Sequence, residues 1–160
     1  MKKATLDRAN VLLFPPLIPL GVIVVSVLLG YGLPVWERTP HVTNGLWLSV
    51  GIILGVAGLV LIISALFYFK KHQTPPQPHK PTKKIVSVGP YRFTRNPMYL
   101  GGNLLLLGLS FLFYLPWVWA AFLIALPLNH WGIVLAEEEY LERKFGKKYR
   151  DYKKSVRRWI

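Results

Sequence analysis

The chain has 160 residues, of which 52% are hydrophobic and 17% charged, yet its formal net charge is +13. A soluble nucleic-acid binder of that charge would scatter its lysines over the fold, whereas "GLWLSVGIILGVAGLVLIISALFYF" carries no charge at all; an integral membrane protein is expected and a nucleic-acid partner is not. The absence of cysteine excludes disulfides, thiolate nucleophiles and cysteine metal sites.

Taken in order, the apolar stretches predict a single all-α membrane domain over residues 1–160 with about four transmembrane helices, at residues 11–33, 45–69, 98–114 and 115–135. The first apolar run is longer than a signal-peptide core and has no small-residue cleavage site, so a retained helix is expected, kinked or delayed by Pro15, Pro16 and Pro19. In the second, Gly51, Gly55 and Gly58 permit close helix packing, with a homodimer through this face as the other use. Pro116, flanked by Tyr114, Trp117 and Trp119, predicts a tight interfacial turn that folds the last two spans into an antiparallel hairpin.

Between the second and third spans lies a cytoplasmic loop, residues 70–97. Its proline-rich part, "KKHQTPPQPHKPTKKIVSVGP", reads as extended chain, with residues 70–84 a solvated tether. Neither His72 nor His79 has acidic or cysteine neighbours there, so no metal site is expected. Basic residues precede the first span, crowd this loop and fill residues 143–158, while only Arg38 falls on the other side. The positive-inside rule then predicts a multi-pass protein with both termini cytoplasmic. From residue 136 to 160 a C-terminal amphipathic helix is predicted, with Leu141, Phe145, Tyr149, Tyr152, Val156 and Trp159 in one stripe and a weak point at Gly146.

The polar residues inside this apolar framework are the candidates for chemistry. At 100° per residue Glu138 falls about 20° from Phe145, in the apolar stripe, whereas Glu139 points away from it and Glu137 lies at its edge. A carboxylate on an apolar face needs a partner. The ordinary account of Glu137, Glu138 and Glu139 is that they complement the positive end of a helix dipole. Asn103, five residues into the third span, and His130, five before the end of the fourth, should lie at similar depth, about 7 Å below the cytoplasmic boundary. Each could be a satisfied interhelical hydrogen bond; together with Tyr91, Arg95 and Tyr99 they outline a polar pocket open to the cytoplasm.

"GPYRFTRNPMYLG", followed about forty residues later by "EEEYLERKFGKKYRDYKKSVRRWI", resembles the isoprenylcysteine carboxyl methyltransferase family of integral membrane methyltransferases, which is related to the phospholipid N-methyltransferases. The resemblance covers residues 74–160 and rests on Arg95, Asn96, Pro97, Tyr99 and Gly101, paired with Glu137, Glu138, Leu141, Phe145, Gly146, Tyr149 and Tyr152. It implies an S-adenosylmethionine pocket in which Glu138 binds a donor group of the cofactor and Tyr91, Asn96 and Tyr99 line its cradle. Arg95, Pro97, Gly101, Asn103, His130 and Glu137 are the further expected cofactor-site residues. Arg158 would meet a lipidic or amphipathic acceptor, so that Arg158 and Glu138 are the expected catalytic pair. Asn96 stands where some members have histidine. On the helical wheel Arg158 falls opposite the stripe, so it reaches the pocket only if the helix has ended by about Ser155.

Isoprenylcysteine-type carboxylate O-methylation is the favoured expectation and phospholipid amine N-methylation the alternative. Two readings of other classes are an NADPH-dependent membrane reductase and a basic scaffold that binds anionic membrane lipids.

Overall fold

The computed structural model describes residues 7–11, 15, 17–32, 45–78, 80–113 and 116–160. Residues 1–6, 12–14, 16, 33–44, 79, 114 and 115, with Lys2, Lys3, Pro16, Arg38, His79 and Tyr114 among them, lie outside the described residues. Among those described there is helix and no strand: α1 (Leu17–Gly32), α2 (Gly45–Lys71), α3 (Pro97–Leu112), α4 (Pro116–Asn129), α5 (Leu135–Phe145) and α6 (Lys147–Ser155), with a short 3-10 turn at Gly89–Arg92.

Two of these helices are long and apolar enough to cross a membrane. One is α2, with 27 residues; the other is the continuous Trp117–Phe145 stretch of 29. By contrast α1 and α3 have 16 residues each, about 24 Å, against a hydrocarbon core of about 30 Å. Where four spans were expected there are two long helices and two short ones among the described residues. Outward-facing Leu20, Ile53, Ile63 and Leu123 are each more than half exposed, the pattern of a surface that meets something other than water.

Glycine sets the tightest contact. α3 lies along α2, where a Cβ at Gly58 would come 2.5 Å from the Gly101 carbonyl oxygen and one at Gly108 would come 2.6 Å from the Gly55 nitrogen. The two backbones therefore touch, as small residues allow in apolar surroundings where packing rather than water exclusion drives association. Gly51 and Gly58 serve this intrachain contact, the packing use expected of them. On the other side of α3, α1 and α4 close a core of Ile18, Val22, Leu106, Val118, Ala125 and Ile133. Ser26 and Ser110 hide their hydroxyls by donating to carbonyls one turn back, Val22 at 2.6 Å and Leu107 at 2.7 Å.

α4 does not stop at residue 135. Pro127 lacks the N–H that would continue the ladder, and just beyond it His130–Val134 form a π-turn, with the Leu135 N–H reaching the His130 carbonyl. The helix then runs on into α5. Glu137, Glu138 and Glu139 consequently follow no free helix N-terminus, and the dipole account of them fails. Gly146, at φ +55°, then breaks the expected single helix over residues 136–160 into α5 and α6. Helix ends at Ser155; Val156 is extended and the last residues turn back toward Arg95.

Candidate functional site

Gly89 begins the site. Its φ is +62° and a side chain there would run into the Tyr68 ring, so glycine is required for the chain to swing from the loop into the turn that carries Tyr91. Tyr91 is buried with Ala65 and Val86, its ring edge-on to Phe69 at 5.2 Å. Burial pushes its phenol above the ordinary range. Tyr152 of α6 donates to the Tyr91 carbonyl at 2.8 Å, fixing α6 beneath the turn.

The C-terminal segment is sewn to the start of α3. Arg95 N–H donates to the Arg157 carbonyl at 3.0 Å, and Thr94 Oγ1 and Asn96 Nδ2 both donate to the Arg158 carbonyl, each at 3.0 Å. Asn96 is therefore a backbone clamp, a role that needs an amide and no titrating ring. This docking brings the Arg158 side chain onto Glu138 as a bidentate pair, Nε to Oε1 and Nη2 to Oε2, both 2.9 Å. Arg95 Nη2 lies 3.3 Å from Oε1 of the same carboxylate. Hydrogen bonding from Glu138 holds the Arg158 guanidinium above its ordinary pKa. Arg158 thus reaches the site because the helix has ended, and what it meets there is Glu138.

Next to this cluster is a cavity of about 340 Å³. Of the expected residues it is lined by Tyr91, Arg95, Asn96, Pro97, Tyr99, Glu137 and Glu138. Glu137 accepts the Tyr99 hydroxyl at 2.6 Å and has no ion pair among the described residues. The Arg95 side chain is 8% exposed, and its Nε and Nη1 are buried without a hydrogen-bond partner. The cavity therefore pairs a carboxylate lacking a cation with a guanidinium that has two nitrogens to spare.

Three expected residues stand elsewhere. Gly101 is used by packing, since a Cβ there would sit 2.7 Å from the Gly58 carbonyl oxygen, and it does not line the cavity. Asn103 is buried within α3 one turn further from the cavity. His130 faces Arg158, its Nε2 3.4 Å from Nη1, and its ring lies near Trp159. The residues that sequence reasoning missed are in the loop expected to be a tether: Pro75, Gln77, Thr82, Lys84 and Val86 line the cavity, as does Ala9 of the N-terminal segment. Residues 72–78 and 80–88 carry no helix, as expected, but they fold back as a roof where a solvated tether was expected. The local signal was Ile85 and Val86, an apolar pair just beyond the polar stretch.

Helices of membrane-crossing length, with helix and no strand among the described residues, are those of a membrane protein, and the cavity carries both acidic and basic side chains. The model of the phospholipid methyltransferase family matches residues 46–148, and the chain belongs to that family of integral membrane methyltransferases. A protein of Haemophilus influenzae described as uncharacterized is 38% identical over 63 residues, which is 39% of this chain and 100% of that protein. No solved structure matches the chain.

Proposed function

We propose that the chain transfers a methyl group from S-adenosylmethionine to a lipidic or amphipathic acceptor, with the 340 Å³ cavity as the cofactor site. The carrying observation is the complementary pair in that cavity, Glu137 without a cation among the described residues and Arg95 with two unpartnered nitrogens. S-adenosylmethionine bears cationic sulfonium and ammonium groups and an anionic carboxylate, and the volume lies within the roughly 300–1,000 Å³ of small-molecule sites. Glu137 would hold a cationic group, Arg95, kept in place by Glu138, the carboxylate, and Tyr91, Tyr149 and Tyr152 the flat base. When bound, the cofactor supplies an activated methyl carbon. The protein's own part is to orient donor against acceptor and exclude water.

Carboxylate O-methylation is the favoured chemistry. It needs no general base, and His130 has its Nε2 turned to an Arg158 guanidinium N–H. Phospholipid amine methylation is the second reading, supported by the family description. Calorimetric titration with S-adenosylmethionine and with NADPH tests the class, saturable binding of the first and none of the second being expected. Binding of NADPH alone would overturn the reading in favour of a reductase. Labelled methyl groups transferred to a lipid extract discriminate the acceptors, because an ester releases methanol in alkali and an N-methyl group does not.

His130 and Asn103 lie off the cavity, so alanine at either position should leave S-adenosylmethionine affinity within about threefold, under ~1 kcal/mol. A tenfold loss in His130→Ala would place the ring in the site.

Both termini are taken as cytoplasmic, supported by the one-sided basic residues. A cysteine at Thr43 should label only from outside and one at Ser155 only from inside. The reverse pattern would overturn the topology.

A further inference from the structure

The roof of the cavity is built as a flap. Residues 74–78 and 80–84 belong to a loop whose ends meet, the Lys84 N–H donating to Thr74 Oγ1 at 3.0 Å, and compact loops of this kind are often functional. Both ends are anchored: Thr74 is 4% exposed, and Val86, 5% exposed, packs with Ala65 and Tyr91. Pro75, Pro76, Pro78 and Pro81 stiffen the span between them and supply no backbone donor. The N-terminal segment rides on the flap, the Ala9 N–H donating to the Pro78 carbonyl at 3.1 Å.

A single side chain ties this roof down. The Tyr140 hydroxyl, on buried Tyr140 of α5, accepts the Thr82 N–H at 3.1 Å and Lys144 Nζ at 3.2 Å, and donates to Asp7 Oδ1 at 3.0 Å. Those three partners use its one donor and two acceptor sites in full. Outside it, Lys144 Nζ bonds both Asp7 carboxylate oxygens, at 2.6 and 2.8 Å, with the aspartate side chain 58% exposed. The latch thus has a buried neutral half and a solvent-facing ionic half, and an exposed ion pair is weak and screened by salt.

We infer that Tyr140 is a positioning residue that latches a flap, residues 74–84 together with the Asp7–Ala9 segment, over the cavity, and that a water-soluble ligand exchanges from the aqueous side when the latch opens. The inference takes its ligand from the proposed function, but the motion can be read without it. Opening breaks the bonds to Thr82 and Asp7 while the Thr74 and Val86 anchors stay packed, so the flap swings as one stiff piece.

The chain has no cysteine, so Gln77→Cys places a single thiol in the roof, and its rate of maleimide modification reports opening. Adding Tyr140→Phe, which keeps the ring and deletes the hydroxyl, should speed labelling about tenfold, the effect of losing one to two hydrogen bonds. Asp7→Asn, an exposed change that leaves the fold intact, should speed it about threefold, as should 0.5 M salt in the otherwise unaltered chain, roughly the worth of an exposed pair. S-adenosylmethionine should slow labelling and dissociate about tenfold faster from Tyr140→Phe, with the opening rate rather than the site chemistry changed. Labelling rates unmoved by Asp7→Asn, by salt and by Tyr140→Phe would overturn the latch. Faster labelling without any S-adenosylmethionine binding would sustain the latch and sink the proposed cofactor.

Discussion

Glu138→Gln should lower both stability and S-adenosylmethionine affinity, and Glu139→Gln should change neither. The two residues are neighbours of equal charge, but the Glu138 side chain is 7% exposed against 80% for Glu139. Glu138 neutralises Arg95, itself 8% exposed, and the forked guanidinium of Arg158. The amide leaves both without a counter-charge, a loss of about 3 kcal/mol when one partner of a buried pair is removed. Arg158 is 31% exposed and recovers some hydration, which places the cost at the lower end of that range. Glu139 meets only Arg143 at 3.9 Å on the surface, a contact worth under ~1 kcal/mol. Thermal unfolding in detergent and calorimetry on both variants make the comparison. Equal small losses would mean that the acidic run acts only through its overall charge.

Gly101 and Gly102 provide an equally sharp contrast. Alanine at Gly101 drives a methyl to 2.7 Å from the Gly58 carbonyl oxygen and 2.9 Å from Ile62 Cγ1, while alanine at Gly102 meets nothing within 4 Å. Backbone cannot yield as a side chain can, so α2 and α3 must separate. Overpacking of this kind costs about 1–3 kcal/mol. At Gly102 the same change should be neutral or stabilising by up to ~1 kcal/mol through helix propensity. Because α3 begins at Pro97 in the cavity wall, displacement in Gly101→Ala should also weaken ligand binding. A Gly101→Ala protein as stable as Gly102→Ala would contradict the close helix contact.

Local pattern alone determined the helical class, the apolar helices and the fact that Glu138 and not Glu139 faces inward, because periodicity and hydropathy act over a few residues. Arg95 and Tyr99 were legible because polar groups at the end of an apolar run need partners, whereas Asn96 and Glu137 entered the expected site through the family resemblance. Three features were decided only in three dimensions. The loop over residues 74–84 is proline-rich and polar, and a tether and a roof have the same composition; the distant Tyr140 hydroxyl makes it a roof. Gly101 belongs to the motif by sequence, and its use in packing depends on Gly58 lying opposite. Arg158 points away from the apolar stripe on an unbroken helix. It meets Glu138 only because Gly146 takes a positive φ, the helix ends at Ser155 and Thr94 and Asn96 capture the Arg158 carbonyl, long-range hydrogen bonds that no local pattern encodes.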